Sequence, residues 1–257
     1  MLLRRVIEHV RAQNWTAVAI DFVIVVVGVF VGIQVANWNE ERLDDRRADA
    51  YLARIASDLA TDIEGIDMRA AFWREVIAEG EIAVRHAESG ALENGSAWRT
   101  ALAFYQASQV FPYVYTDTTY EELKSSGELG LIRDAGLRSG LSEYYALGSA
   151  EQAGFLTRLI PPYRETIRGK TPLVMARHIW RECITTDGLA RQMLVECGAP
   201  FGAEEARAAL AGYTADRRVI EELRTWIGNQ EIALILLGHN REAAGEMLAR
   251  IEALRRH

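Results

Sequence analysis

The sequence predicts an all-α protein: one N-terminal transmembrane helix continuing into a long stalk helix, followed by an antiparallel helical-bundle domain. Three observations carry this expectation. Residues Thr16 to Ala36 form an unbroken apolar run with a single charge, Asp21. No glycine or proline interrupts the chain from Trp38 to Gly65. Two-residue alternation, the mark of a half-buried strand, is almost absent, whereas apolar residues recur at spacings of three and four.

Residues 1–14 read as a cytoplasmic amphipathic tail. Leu2, Leu3, Val6, Ile7 and Val10 share one side and Arg4, Arg5, Glu8 and Arg11 the other, which suits a helix lying on the membrane surface. The transmembrane helix is placed at 15–38. Its apolar run of 21 residues spans about 31 Å, the thickness of a bilayer's hydrocarbon. Trp15 and Trp38 are the expected interface anchors, about 34 Å apart, at the levels of the two aromatic belts. A cleaved signal peptide fits less well. Cleavage after Ala36 would put Gln34 where a small residue is needed, and the run is longer than a signal core. Residues Val23 to Val27, with Val29 and Phe30, leave no polar face for a soluble helix.

Residues 39–90 are expected to form the stalk and the first bundle helix. Leu52, Ile55, Leu59, Ile63 and Ile66 mark its packed stripe, extended by Trp73, Val76, Ile77 and Val84, and Ser89-Gly90 supplies the stop. The charged stretch from Glu40 to Asp49 reads as a solvated stalk. Residues 91–257 form the helical extracytoplasmic domain. Ser96 is the expected N-cap of a helix carrying Trp98, Ala101, Leu102 and Tyr105, broken at Phe111-Pro112-Tyr113. Thr118 and Thr119, each three residues before a glutamate (Glu121, Glu122), predict a capping box and a short helix ending near Gly127. Further helices are predicted from Asp134 to Leu147 and from Ser149 to about Pro161, where Pro161-Pro162 breaks or kinks the chain. Thr171-Pro172 is read as the start of the next. A short helix is expected around Leu189 to Val195. From Phe201 the pattern is helical throughout, interrupted at Gly238.

Composition excludes some functions. With 36 acidic against 29 basic residues and a net charge of −7, the chain lacks the basic stripe that nucleic acid requires. The same balance argues against a polybasic lipid-binding surface. Only Lys124 and Lys170 are lysines, so 27 of the 29 basic residues are arginine, which reads as a GC-rich bacterial genome. Arginines flank the apolar run evenly: Arg4, Arg5 and Arg11 before it, Arg42, Arg46 and Arg47 after it. The positive-inside rule therefore gives no vote. Orientation rests on the short tail and on Cys183 and Cys197, an even pair that suits a disulfide in an oxidising compartment or, alternatively, two buried thiols. The expected location is a bacterial inner membrane, single-pass, with the N-terminus cytoplasmic and the domain periplasmic.

Two blocks resemble a known family. GVFVGIQVANWNEERLDDRRADAYLARIASDLATDI is similar to the opening of a family of uncharacterised bacterial single-span membrane proteins, a domain of unknown function. There an apolar span closes on a Gln-x-x-Asn-Trp-Asn-Glu-type motif, matched here by Gln34, Asn37, Trp38, Asn39 and Glu40. TYEELKSSGELGLIRDAGLRSGLSEYY, residues 119–145, looks like a second block of that family. Together the blocks cover about a third of the chain. The resemblance implies architecture and location but no activity. This chain departs from the commoner pattern in its scarce lysines and its two cysteines, so the resemblance does not imply a disulfide.

Gly28, Gly32 and Ala36 place small residues on one face of the span, which lets two helix backbones approach closely. The readings are a homodimer or partner membrane protein, or a chance pattern in a valine-rich segment. Asp21, the intramembrane acid, reads either as a pairing site for a basic group or as a carboxylate that snorkels or is protonated. No catalytic, cofactor or metal residues are expected. His9, His86, His178, His239 and His257 lack paired-ligand helical spacings, and His178 with Cys183 and Cys197 lacks an evident fourth zinc ligand. The aromatic cluster Tyr105, Phe111, Tyr113, Tyr115 and Tyr120 reads as core beneath a loop or as a ligand groove. The leading expectation is a non-enzymatic, membrane-anchored helical scaffold or binding module acting through protein partners and the lipid bilayer. The alternative is a periplasmic sensory subunit signalling through a partner membrane protein; a membrane-tethered enzyme is the third.

Overall fold

Helix α1 runs without a break from Trp15 to Ser89, 75 residues. Alanine, arginine and glutamate, all strong helix formers, are the commonest residues of its outer two thirds, and no proline occurs in it. It ends where the sequence places the stop: Gly90 adopts φ +73° and donates its N–H to the His86 carbonyl, a left-handed cap that costs glycine no Cβ clash. The computed structural model describes residues 15–111, 114–148, 160–187 and 191–256. The expected tail (1–14), residues 149–159 of the helix expected from Ser149 to about Pro161, and Pro112, Tyr113, Leu189, His9 and His257 lie outside them.

The architecture is all-α with one small two-stranded sheet. Its spine is an antiparallel pair, α1 and the last helix. As α1 advances from Asp49 to Asp67 to Glu88, its ion-pair partners descend from Arg255 through Arg241 to Arg224. Between the two ends the chain adds α2 (Ala97–Gln106), α3 (Thr118–Ser125), α4 (Ala135–Ser142), α5 (Pro162–Lys170), α6 (Leu173–Glu182), the strands β1 (Ile184–Asp187) and β2 (Arg191–Leu194), α7 (Ala203–Thr214) and α8 (Arg217–Arg255).

Three cores lie along this spine. Nearest the apolar segment, Leu52, Ile55 and Leu59 of α1 meet Leu123, Leu137 and Leu141 from α3 and α4, and Met247 and Ile251 from α8. In the middle, Ile66, Phe72, Trp73 and Val76 pack on Phe111, Ala233 and Leu237. Farthest out, α2 is the buried centre: Phe104 and Tyr105 sit among Tyr163, Ile167, Ile179, Tyr213 and Leu223. The stripe predicted for α1 is thus the packed one, with Ile63, Ile77 and Val84 only partly covered.

Local signals hold for most elements. Ser96 caps α2 by accepting from the Arg99 N–H, and Asp134 caps α4 by accepting from Leu137. The segment Glu143–Gly148 then continues α4 as a π turn. Four expectations are corrected. Thr118 and Thr119 are not caps: Asp117 holds the N-cap position of α3, so both threonines lie inside its first turn. Pro161-Pro162 marks the start of a helix, since Pro162 opens α5, where a missing N–H is harmless. Pro172 is the N-cap residue of α6, one position earlier than expected. Gly238 does not interrupt α8, because packing by Leu237 and Ala244 on both sides outweighs a glycine cost of about 1 kcal/mol.

Where a helix is expected around Leu189 to Val195, Arg191–Leu194 is instead a β-strand. β1 and β2 pair antiparallel from Ile184–Leu194 to Asp187–Arg191. Cys183 and Cys197 are disulfide-bonded, with Cα atoms 5.2 Å apart. Closing the strands' base in this way favours the extended pairing over a helix. Gln106 in α2 anchors the hairpin by donating to the carbonyls of Cys183 (3.0 Å) and Val195 (3.3 Å).

Candidate functional site

The apolar segment is the first candidate. From Phe22 to Val35 its large side chains are all exposed, between 46 and 69 % of their surface, and none of its most apolar stretch is buried within the protein. It is a helix long and apolar enough to cross a membrane, near the N-terminus. Trp15 and Trp38 stand exposed at its ends, and the Arg42 guanidinium lies 4.9 Å over the Trp38 ring. Gly28 and Gly32 have open space where a side chain would be, and Ala36 is exposed on the same face. Asp21 is half-buried.

Beyond that segment the buried polar groups fall into separate constellations. In the core nearest the apolar segment, Asp62 is 1 % exposed. It accepts from the Tyr144 hydroxyl at 2.9 Å and from the Thr116 N–H at 2.8 Å. Tyr144 is held edge-on by Tyr115 and Tyr145, and Tyr145 stacks on Tyr120. Burial pushes the Tyr115 and Tyr145 hydroxyls well above their ordinary range, helped by the Asp62 carboxylate. Proton donation, not ionisation, is therefore what these phenols offer.

The aromatic cluster expected from the sequence does not form one groove. Tyr105, Phe111 and Tyr120 are buried in three different cores, and Tyr115 is partly buried between two of them. Each of these four rings packs within the helical cores, and Tyr113 lies outside the described residues. Tyr115 also accepts a hydrogen bond from the Asn240 side-chain amide at 2.8 Å, tying α8 to the loop before α3.

His178 lies beside the disulfide: its ring nitrogen and the two sulfurs fall within 4.8 Å of one another. The sulfurs are bonded to each other, and His178 Nε2 is hydrogen-bonded to the Gly198 carbonyl at 2.7 Å. Trp98 completes the lock by donating to the Cys197 carbonyl at 2.7 Å. In this state the three residues fasten the hairpin to α2 and α6 and leave no free thiolate to hold a metal.

Two features escaped the sequence. Arg99 grips Glu79 of α1 through two hydrogen bonds of 2.6 and 2.7 Å, with a third to Glu196 at 3.1 Å. Burial raises the Glu79 carboxyl above its usual range despite that pairing. On α5, Arg164 and Arg168 reach into the turn after α2, where Ser108 and Gln109 are buried. No sequence spacing connects positions 108–109 with 164–168; only the packing of α5 on α2 does. A groove of about 500 Å³ between α1 and β2 is lined by Glu64, Asp67, Glu75 and Arg191, and Asp67 there is already held by Arg241. No family model, curated protein or solved structure matches this chain.

Proposed function

We propose that this protein is a single-pass bacterial inner-membrane protein whose helical domain stands in the periplasm as a non-enzymatic scaffold or binding module. The observation that supports this best is the exposed apolar segment of α1, fused without a break to the packed bundle. About 21 residues of apolar helix left uncovered in water would be a severe aggregation liability, whereas a bilayer covers them and leaves every backbone group satisfied. The disulfide supports an oxidising compartment for the domain. The buried phenols and caps support a domain built for rigidity. Partners would be other membrane proteins or a second copy, engaged along Gly28, Gly32 and Ala36, with Asp21 as a polar contact in lipid.

Three measurements on the full chain test this reading. A reporter fused behind His257 through a linker should be active only when it functions outside the cytosol, and the chain should stay in membranes through alkaline washing. A chain that washes out, or a mature form that begins at Asn37, overturns the anchor. Cross-linking in native membranes should give a discrete adduct that weakens in the Gly28→Ile/Gly32→Ile variant; an unchanged adduct removes the small-residue face.

A further inference from the structure

We propose that Arg164, Arg168 and Gln109 form a binding site for a small soluble oxyanion, of the phosphate or carboxylate class. Both guanidiniums are half-buried on one face of α5, a turn apart. Arg164 donates to the Ser108 carbonyl at 2.5 Å. Arg168 donates to the Ser108 hydroxyl at 3.3 Å and to the Gln109 side-chain oxygen at 2.9 Å. Neither is paired with a carboxylate among the described residues, in contrast to Arg99, which is buried against Glu79. Half-buried cations without a counter-charge are costly, and proteins ordinarily pair them. Burial, together with the adjacent Arg168 charge, pushes the Arg164 guanidinium down to about 10.

The turn after α2 does not supply the missing charge. A helix C-terminus contributes about half an elementary charge, against two full cations here. Gln109 gives an independent sign of a ligand. It is 1 % exposed, its oxygen is taken by Arg168, and its side-chain nitrogen has no partner. A buried amide donor left open next to two half-buried guanidiniums that lack a carboxylate partner is what an absent acceptor would leave. Arg168 is also held rigid, its guanidinium 5.2 Å from the Tyr105 ring and 5.3 Å from the Trp180 ring. Pre-organised planar guanidiniums suit the two-oxygen edge of phosphate or carboxylate.

The ligand is a soluble anion and not a headgroup of the protein's own membrane. Trp226 of α8 donates to the Ala107 carbonyl, next to this turn, and its neighbour Ile227 meets Gly80 of α1. Gly80 lies 44 residues beyond Ala36, about 66 Å along the helix, out of reach of that bilayer.

The test uses the full chain in detergent, followed by tryptophan-monitored melting and calorimetry. Inorganic phosphate and acetate are titrated separately, with chloride at matched ionic strength and vesicles of anionic lipid as controls. A saturable rise in Tm with phosphate or acetate, above that with chloride, is expected. Whichever anion acts names the class. Gln109→Glu is the decisive variant, because it keeps the side chain's shape and installs the counter-charge. It should melt no lower than the natural chain without anion and bind the anion at least about tenfold more weakly, since one charged hydrogen-bonded contact is worth that much. Arg168→Gln should weaken binding similarly. Failure of both anions to bind, binding only to lipid vesicles, or an unchanged response in Gln109→Glu overturns the site.

Discussion

Glu79 and Arg99 join α1 to α2 by a bidentate pair whose side chains are only 13 and 15 % exposed, and this makes opposite demands on single and double substitutions. Glu79→Ala strands the Arg99 guanidinium in the interface. A lone buried member of such a pair costs about 3–5 kcal/mol, but Arg99 retains Glu196, an exposed partner at 3.1 Å. The expected loss is therefore near the lower end, about 3 kcal/mol. Replacing both, as Glu79→Leu with Arg99→Met, removes the desolvation of two charges and fills their volume with apolar atoms. That variant should lie within about 1 kcal/mol of the natural chain. The pH dependence has a definite sign. Burial raises the Glu79 carboxyl above its unfolded value, so the folded state holds that proton more tightly. The stability this adds is full below the unfolded value and is lost as pH rises through the folded one. The natural chain should thus gain on the double variant as pH falls through that window. Urea unfolding at several pH values, followed by tryptophan fluorescence, measures all three chains. A double variant that loses as much as Glu79→Ala would refute the reasoning, because it would make the ion pair a net source of stability over its apolar replacement.

Two further outcomes follow from the geometry. Cys183→Ala/Cys197→Ala should lower unfolding free energy by about 3 kcal/mol, the loop-closure value for 15 residues, and should leave the far-ultraviolet helical signal unchanged; equal urea midpoints with and without the bond would contradict it. Gln230 is 2 % exposed with neither side-chain amide atom partnered, so Gln230→Leu should stabilise by about 1–3 kcal/mol; a lowered melting temperature would show that the amide has a partner.

What the sequence discloses here is local. The three-and-four spacing of Leu52, Ile55 and Leu59 marks a face that tertiary packing then uses, because a helix buries its stripe whatever covers it. Ser96 and Gly90 act within one turn of their own positions, so they too can be read directly. The hairpin was invisible because four-residue strands carry too little periodicity, and the disulfide that closes their base joins residues 14 apart. Asp117 displaced Thr118 and Thr119 as the cap position although the pattern favoured the threonines. The helix at Pro162 was missed because the same residue type that ends one helix can begin another. The oxyanion site lay furthest from view. Arg164 and Arg168 resemble the other solvent-facing arginines until α5 lands on Ser108 and Gln109.

The continuity of α1 makes the domain a lever. From Ala36 to Ser89 the helix rises about 80 Å, and Asp49, where α8 first grips it through Arg255, is about 20 Å above Ala36. With the apolar segment in a bilayer, a tilt of about 20°, ordinary for a span, would carry the far end of the rod sideways by roughly 27 Å. A change in lipid thickness or a neighbour leaning on Gly28 would then be felt most strongly at the outermost core, where α2 and α5 meet.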